Sequence, residues 1–509
     1  MTSQTLRPTV ADFEGERHVP AVPERKPLGR FLVDAGAVTQ EQLLAGLKMQ
    51  LRLQAPLGEI LVAEGWASEP QIRAALAQQF GIPEADLSAD PPDPRLTARR
   101  CAEAWLRDGL LAWRRTPEGT VLIATDHPDR FEGFRARLDQ LYGSVAPVLV
   151  SESARVHATA RQFSASLGSA ASTRTPAEFS SRDWHWTRRL PLPLALSAML
   201  VGVWLAPVIT LTFLSLLAIV TMLMFGALKA CALYVKLSAH PSLMAPEPDP
   251  PIPERHVMPK ISVLVPLYRE REIADALIRR LKRLTYPKAL LDVLLVLEAK
   301  DDVTRAALSE TDLPAWIRVI EVPATGSLTT KPRAMNYALD FCKGEIIGIW
   351  DAEDAPACDQ IERIAARFAE APDDVVCLQG ILDYYNPRTN WLSRCFTIEY
   401  AAWFRVILPG IARMGLVVPL GGTTVFLRRS ALEALGGWDA HNVTEDADLG
   451  MRLCRAGYRT EMIATVTYEE ANCRPWPWIK QRSRWLKGFL VTYMVHMRDP
   501  ARLARELGL

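Results

Sequence analysis

From residue 190 to about 237 the chain runs almost without charge. Only Lys229 and Lys236 interrupt it, both near its end. Roughly 46 residues of helix would reach about 70 Å, whereas the hydrocarbon core of a bilayer is about 30 Å thick. One span is too short to use this stretch and two fit, with Pro207 near the middle as the place for a turn. Arg182, Arg188 and Arg189 precede the stretch and Lys236 follows it, which places both ends on the cytoplasmic side. A helical pair buried in a soluble core is the alternative, but such a core rarely has so few polar residues over this length. The expectation is therefore a transmembrane helical hairpin over 190–237.

The rest of the 509 residues leaves room for two or three domains. Basic and acidic residues nearly cancel, to a formal net charge of +1, which argues against a dedicated nucleic-acid binder. The eight cysteines are scattered, at 101, 231, 342, 358, 377, 395, 454 and 473, and none forms a CxxC pair. Neither a zinc site nor a disulfide framework is expected, and reduced, cytosol-facing domains fit best. Residues 1–26 are polar and read as a disordered leader, without the apolar core of a signal peptide.

Residues 27–79 hold an internal repeat. PLGRFLVDAG begins at Pro27 and PLGEILVAEG at Pro56, and Leu43, Leu47 and Gln50 are matched by Ile72, Leu76 and Gln79, all at an offset of 29. Each copy reads as a short apolar helix ended by Gly36 or Gly65, then a second helix capped by Thr39 or Ser68. Two such hairpins can bury their leucine faces on each other. Further on, 121–123 reads as a strand and 131–142 as a helix. This region, 27–165, resembles the N-terminal domain of type II secretion and pilus-assembly ATPases, the MshE N-terminal type. The resemblance implies a small, mainly helical α+β domain with a protein partner or cyclic di-GMP as its ligand. In that family the repeats begin Arg-Leu-Gly; here both arginines are replaced, by Pro27 and Pro56, which removes any contact that arginine makes. A protein-docking module is the equal alternative. No Walker A sequence occurs, so the chain is not the ATPase itself. Residues 166–189, rich in Ser, Ala and Thr, read as a linker, and 238–258 as a Pro-rich one.

From residue 259 strand-like runs alternate with helical patterns: strands at 261–267, 293–297, 317–322 and 346–350, with a helix over 273–284 after the first. The alternation predicts a parallel sheet covered by helices, with ligands beyond the carboxyl ends of its strands. Acids follow three of those strands: Glu270 after Tyr268-Arg269, then Glu298 with Asp301-Asp302, then Asp351-Ala352-Glu353-Asp354. Crowded like charges call for a cation, and hard oxygen ligands suit magnesium or manganese holding a diphosphate. A single acid of this kind is most simply a solvated loop residue; acids after three separate strands are less easily dismissed. GGWDAHNVTEDADLGMRL, at 436–453, places Glu445 and Asp446 in the first turn of a helix with Thr444 as its cap. Acids there suit the helix dipole, and a carboxylate held on a rigid helix start also suits a general base. In QRSRW, Gln481 and Trp485 share a helix face with Arg484 beside them, a set able to grip phosphate and stack on a sugar or base.

In this order PLYRE (266–270), TKPRAMNYAL (330–339), DAED (351–354), TED (444–446) and QRSRW (481–485) resemble family 2 glycosyltransferases of the membrane-bound, cellulose-synthase-like branch, over about 258–495. Joined to the secretion-ATPase-like module, they are similar to the bacterial group with XagB-type and phage N4 adsorption protein B-type transferases. The resemblance implies a GT-A-type, mostly parallel α/β domain at 259–495, in the inner (cytoplasmic) membrane, with catalytic and N-terminal domains cytoplasmic. It implies an inverting hexosyltransferase that moves a sugar from a UDP-sugar, UDP-glucose by analogy, to a growing polysaccharide. Pro266, Tyr268 and Glu270 would line the uridine pocket with Glu298 and Asp301, where relatives carry an Asp-Asp pair. Lys331 would approach the nucleotide. Asp351 and Glu353 take the two places of the DxD metal motif, with Asp354 sharing the role, and Asp351 also touches the nucleotide sugar. Asp446, with Glu445 beside it, would be the base. Gly421, Gly422 and Thr423 match an acceptor-side loop, and Gln481, Arg484 and Trp485 of QxxRW would hold diphosphate and acceptor sugar.

QxxRW is typical of processive members, which usually add transmembrane helices after it. Here residues 496–509 read as an amphipathic tail. Either further helices lie beyond it, or a partner supplies the path, or no translocation occurs. Transfer of one sugar to a lipid is the second enzymatic reading. A catalytically inactive sensor or docking protein is the third, and intact acids at the motif positions argue against it.

Overall fold

The computed structural model describes residues 26–183, 191–239, 258–270, 273–326 and 328–508. Nearly all of the expected leader, the Pro-rich stretch and Arg188 and Arg189 lie outside the described residues.

The repeat forms four helices, Leu28–Asp34, Gln40–Leu53, Leu57–Ala63 and Glu69–Phe80. Thr39 and Ser68 each close a capping box, with Gln42 and Gln71. That arrangement satisfies two backbone donors at each helix start. Gly36 and Gly65, at φ +68° and +70°, turn the chain out of the first helix of each copy. Leu32, Leu57, Leu61 and Ile72 then share one apolar cluster, each buried side chain contributing about 1.5–3 kcal/mol. Strands β1 (Leu110–Arg115), β2 (Val121–Thr125) and β3 (Val145–Leu149) form a small sheet, with β1 antiparallel and β3 parallel to β2. The helix Pro128–Tyr142 runs between β2 and β3.

The apolar stretch splits unequally, into helices Pro191–Leu205 and Pro207–Ala239. The break falls at Ala206, before Pro207, whose missing N–H suits a helix start. The second helix, 33 residues long, is about 50 Å and can cross a bilayer; the first, at 15 residues, is about 22 Å. The carboxyl-terminal part of the long helix packs on the helix Leu408–Arg413. There Gly410 lies so close that a Cβ would stand 2.3 Å from the Ala232 carbonyl oxygen, so Gly410→Val would pry the two helices apart. A second helical stretch, Trp391–Arg413, is also long and apolar enough to cross a membrane. Its middle, Trp403–Ile407, winds as a π-helix packed beside the long helix.

The region from residue 258 onward is built on eight strands: β4 (Ile261–Leu267), β5 (Leu291–Glu298), β6 (Ile317–Val322), β7 (Ile346–Ile349), β8 (Ala355–Pro356), β9 (Val375–Tyr384), β10 (Val425–Arg428) and β11 (Arg459–Glu469). Their order is β6-β5-β4-β7-β10-β9-β11-β8. β6, β5, β4 and β7 are parallel neighbours, as the alternation predicts. Beyond β7 the expectation of a mostly parallel sheet needs correction: β10 is antiparallel to both β7 and β9, and β8 is antiparallel to β11. Only β9 and β11 run parallel there, so the sheet is mixed.

The N-terminal module docks on the amino-end edge of this sheet. Leu53, Ala55 and Ile60 join the core cluster under β4, β5 and β7. Glu59 reaches Lys260 at 2.5 Å and Glu152 reaches Lys343 at 2.6 Å. The segment expected to be a linker begins within a helix, Ser164–Thr173. The expected tail carries a helix too, Pro500–Glu506. None of the eight cysteines is paired.

Candidate active site

At the carboxyl-end edge, Lys331 opens the helix Lys331–Leu339, with Pro332 in its first turn. Its ammonium donates to Asp351 Oδ1 at 2.5 Å and to the Gly422 carbonyl at 3.0 Å. Burial alone would lower its pKa, but Asp351, then Glu445 and Asp446, hold it above the ordinary lysine range. The TED residues sit across from it at the start of the helix Glu445–Arg455. Gly422 lies against them: a Cβ there would stand 3.1 Å from Asp446 Oδ2 and 3.8 Å from Lys331 Nζ. Burial, then the Asp446 carboxylate, push Glu445 up to about 7. Asp446 is raised as well, chiefly by burial, although the Ala447 N–H and Lys331 pull it back. The expected cap is corrected: the Thr444 side chain does not cap this helix but hydrogen-bonds to Asn442.

The DAED turn divides its acids. Asp351 faces Lys331. Asp354, 1% exposed, turns inward: Oδ2 accepts the Asp351 N–H at 2.7 Å and the Thr423 hydroxyl, while Oδ1 is buried with no hydrogen-bond partner. Burial, then Asp351, push its carboxyl well above the usual range. Asp354 thus closes the DAED turn, with the Thr423 hydroxyl as its partner. Glu353 is exposed, and Arg280 grips its main-chain carbonyl at 2.6 Å.

Glu469, at the end of β11, was not expected here. Burial, then Asp354, Asp351 and Glu353, push its carboxyl well above the usual range. The only sequence signal was another acid pair closing a strand, Glu469-Glu470. The surplus of carboxylates over one lysine suits a divalent cation. Ligand geometry is not assembled, however: among the described residues no three His, Cys, Asp or Glu side chains are grouped to hold a metal.

Beyond β4, β5 and β6 lies a cavity of about 220 Å³ lined by Tyr268, Arg269, Glu298, Asp301, Thr325 and Arg333, among others. Tyr268 is exposed, and Pro266, one residue before the end of β4, is half-buried. Arg269 stands at φ +58°, a strained conformation for this residue, and its N–H donates to Asp301 Oδ2 at 2.6 Å. Asp301 also caps the helix Asp302–Ser309 through the Thr304 N–H. Burial would raise its pKa, but these donors hold it below the usual range. Both Asp301 oxygens are therefore engaged in holding the turn. The Glu270 N–H donates to Thr304 at 3.0 Å, and burial, then Glu353, raise its carboxyl. Glu298 is paired with the buried Arg333 at 3.2 Å. The arginine of TKPRAMNYAL is thus a pocket residue that the motif alone did not single out.

QRSRW lies on the helix Pro475–His496. Gln481 accepts from Asn472 at 2.9 Å. Trp485 packs beside Phe396 and Tyr400. Arg484 is exposed, while Arg482 pairs with Glu399 and stacks on Phe396 and Trp485. The Gly421 N–H donates to Gln379 at 2.8 Å. The structure therefore brings Lys331, Asp351, Glu445 and Asp446 together with Gly422, and places Trp485 in an aromatic cluster with Tyr384, Phe396 and Tyr400.

Comparison with known proteins gives this edge a context. Residues 259–488 match the family described as "Glycosyltransferase like family 2". The chain is 25% identical over 237 residues to a "Probable glycosyltransferase YdaM" of Bacillus subtilis, covering 45% of this chain and 55% of that one. It is 28% identical over 246 residues to a "Beta-monoglucosyldiacylglycerol synthase" of Trichormus variabilis, covering 47% and 50%. The chain spans about half the length of these curated relatives. Among solved structures, the mannosyltransferase PcManGT of Pyrobaculum calidifontis in complex with GDP-Man and Mn2+ is 20% identical with a TM-score of 0.40, covering 56% of this chain and 84% of that one. The structure titled "MshE with cdg" is 31% identical with a TM-score of 0.25, covering 27% and 99%.

Proposed function

Given a glycosyltransferase family 2 domain at residues 259–488, we propose that the chain is a membrane-bound, inverting transferase on a GT-A-type sheet, moving a sugar from a UDP-sugar onto an acceptor hydroxyl. The observation that carries this reading is the meeting of Lys331, Asp351 and Asp446 beyond the carboxyl ends of β4 and β7. The donor's uracil would lie in the cavity beside Tyr268, stacked on its ring. Asp351 and Glu353 are the residues that would hold a magnesium or manganese ion; when bound, it supplies positive charge beside the diphosphate. Lys331 holds Asp351 in place and adds a cation beside the departing diphosphate. Asp446 takes the proton of the acceptor hydroxyl as the new bond forms on the face opposite the leaving group. One displacement inverts the anomeric centre. Glu445, beside it at a pKa of about 7, makes the pair's proton count sensitive near neutrality.

A growing polysaccharide is the acceptor favoured by QxxRW at 481–485. A membrane lipid is the second reading, favoured by the likeness to the Beta-monoglucosyldiacylglycerol synthase of Trichormus variabilis. The helices Pro191–Leu205 and Pro207–Ala239 form a hairpin that anchors the chain in a bacterial inner membrane, multi-pass, with both flanking domains cytoplasmic. The N-terminal module takes a protein partner or cyclic di-GMP. The decisive trial incubates membranes carrying the chain with a panel of radiolabelled UDP-sugars, with manganese and with chelator. Label in insoluble polymer supports the first acceptor, and label extracted by chloroform–methanol supports the second. No UDP release from any donor, with metal supplied, overturns the enzymatic reading.

A further inference from the structure

The segment joining the N-terminal module to the membrane helices reads from its composition as a flexible tether, yet residues 174–183 are held at several points. The contacts fall on the elements that carry the candidate active site or follow them, and the segment itself is outside the family-matched residues. Arg174 donates to the Asn336 carbonyl at 2.9 Å and to Asp340 at 2.7 Å, on the helix that begins with Lys331. The Thr175 hydroxyl donates to the Gly436 carbonyl at 3.0 Å, at the start of the loop that leads to TED. The Ser180 hydroxyl and the Ser181 N–H donate to the two oxygens of Asp439 at 2.7 and 2.9 Å, and Asp439 is 1% exposed in that same loop. Arg498 donates to the carbonyls of Ala177, Glu178 and Ser180 just past the end of the QRSRW helix.

Phe179 is the centre of this contact. Its ring lies 6.1 Å from that of His496, and the Arg455 guanidinium stands 4.8 Å over it. His496, the last residue of the QRSRW helix, is buried. Arg455 contacts its Nδ1 at 2.9 Å, and arginine can only donate, so Nδ1 accepts. The ring proton is then on Nε2, which donates to Asp448 at 3.0 Å. Asp448 stands two residues beyond Asp446 on the same helix. The acid helix and the QRSRW helix thus meet at one aromatic ring supplied from outside the domain, and Ser180 and Ser181 tie the loop next to it.

We propose that residues 174–183 are a positioning strap. By pinning the loop at 436–444 and the His496–Asp448 contact, the strap sets where Asp446 stands relative to Lys331. It also ties that geometry to the N-terminal module, whose last helix, Ser164–Thr173, packs on the Lys331 helix through Asn336 and Ala171. The role rests on the glycosyltransferase reading, with Phe179 and Ser180 as positioning residues rather than catalytic ones.

The test uses the full chain in lipid nanodiscs and compares Phe179→Ala, Ser180→Ala and Phe179→Tyr with the unaltered chain. Two quantities are read: UDP release, split into kcat and donor KM, and amide hydrogen exchange. A misplaced base costs rate rather than donor affinity. Phe179→Ala is therefore expected to lower kcat about tenfold or more with donor KM within about twofold. Exchange at 442–448 rises while β4 and β5 stay protected. Ser180→Ala gives a smaller change in the same direction, and Phe179→Tyr restores both readouts. Unchanged kcat and unchanged exchange at 442–448 in Phe179→Ala overturn the strap, and so does protection lost equally from β4 and β5. If the unaltered chain turns over no donor, the glycosyltransferase reading fails by itself, and the exchange readout alone then decides the strap: raised exchange confined to 442–448 supports it, and no change overturns it.

Discussion

The two edges of the eight-stranded sheet bury the same kinds of residue and treat them in opposite ways. At the amino-end edge Asp292, fully buried, is matched on every side. It accepts from Ser262 at 2.6 Å, from the Lys343 N–H at 3.0 Å and from Arg318 at 2.7 Å. Burial would raise its pKa, but Arg318, then Lys343, hold it below the usual carboxylate range. At the carboxyl-end edge Asp354 and Glu445 are buried and Glu469 half-buried among other acids, and all three are raised. One edge is satisfied and holds the N-terminal module. The other is left short of positive charge, which is what a site for a metal-held diphosphate requires.

The largest break in this contrast comes at Asp446. Asp446→Asn keeps the shape and removes the proton acceptor, so UDP release is expected to fall about 10²–10⁴-fold. UDP-sugar binding, followed by calorimetry, stays nearly intact. Turnover at the normal rate would remove Asp446 as the base.

The next test exchanges one buried carboxyl on each edge. Asp292→Asn leaves Arg318 without its charged partner and should cost about 3 kcal/mol of stability. That is read as a lower midpoint in thermal unfolding, with kcat per folded molecule unchanged. Asp354→Asn removes a repelled acid, so the midpoint holds or rises while activity falls, because the Asp351 turn loses its carboxylate acceptor. Equal destabilisation by both would erase the distinction between the edges.

Much of the satisfied half was legible in the sequence, and the reasons are local. The repeat declared its helices through Thr39, Ser68, Gly36 and Gly65, whose capping and turning need no tertiary partner. β4 to β7 showed as apolar runs because both faces of a central parallel strand are covered. What stayed hidden depends on distant parts of the chain. β10 is four residues long and antiparallel, too short to declare a direction. Asp301 was expected to line the uridine pocket, but that its oxygens take Arg269 and Thr304 depends on the turn after β4. Glu469 becomes a site residue only because β11 runs beside β9 and β8, which bring it to the DAED turn. The Ser- and Thr-rich strap is ordered by Asp439 and Arg498, residues more than 250 positions away.

The edges should also respond to pH with opposite sign. Glu445 is raised, so its carboxylate costs nothing to the folded state below the unfolded value of about 4.3 and its full cost above about 7. Asp292 is lowered, so its contribution is present above an unfolded value of about 3.9 and is lost as pH falls further. Transfer should therefore rise about tenfold between pH 6 and 8 as the Glu445–Asp446 pair loses its proton. Glu445→Gln should flatten that rise. A flat profile in the unaltered chain would separate the pair's titration from the chemistry.

The smallest effect belongs to the docking of the module, and it sharpens the contrast because it is the least buried part of the satisfied edge. Glu59 takes the repeat position that Arg30 holds in the first copy, and pairs with Lys260 just before β4. Both side chains are about a quarter exposed, at 28% and 24%, so solvent screens them and the pair is worth about 0.5–1 kcal/mol. Lys260→Glu should loosen the module, read as faster limited proteolysis between residues 26 and 80, with more loosening at low salt than at high. Glu59→Lys combined with Lys260→Glu should recover most of the protection. The copy that carries glutamate is the one that faces the catalytic domain, while Arg30 of the other copy stays exposed. If the reversed pair recovers nothing, the charge difference between the copies has no part in docking, and the apolar contact of Leu53, Ala55 and Ile60 carries it alone.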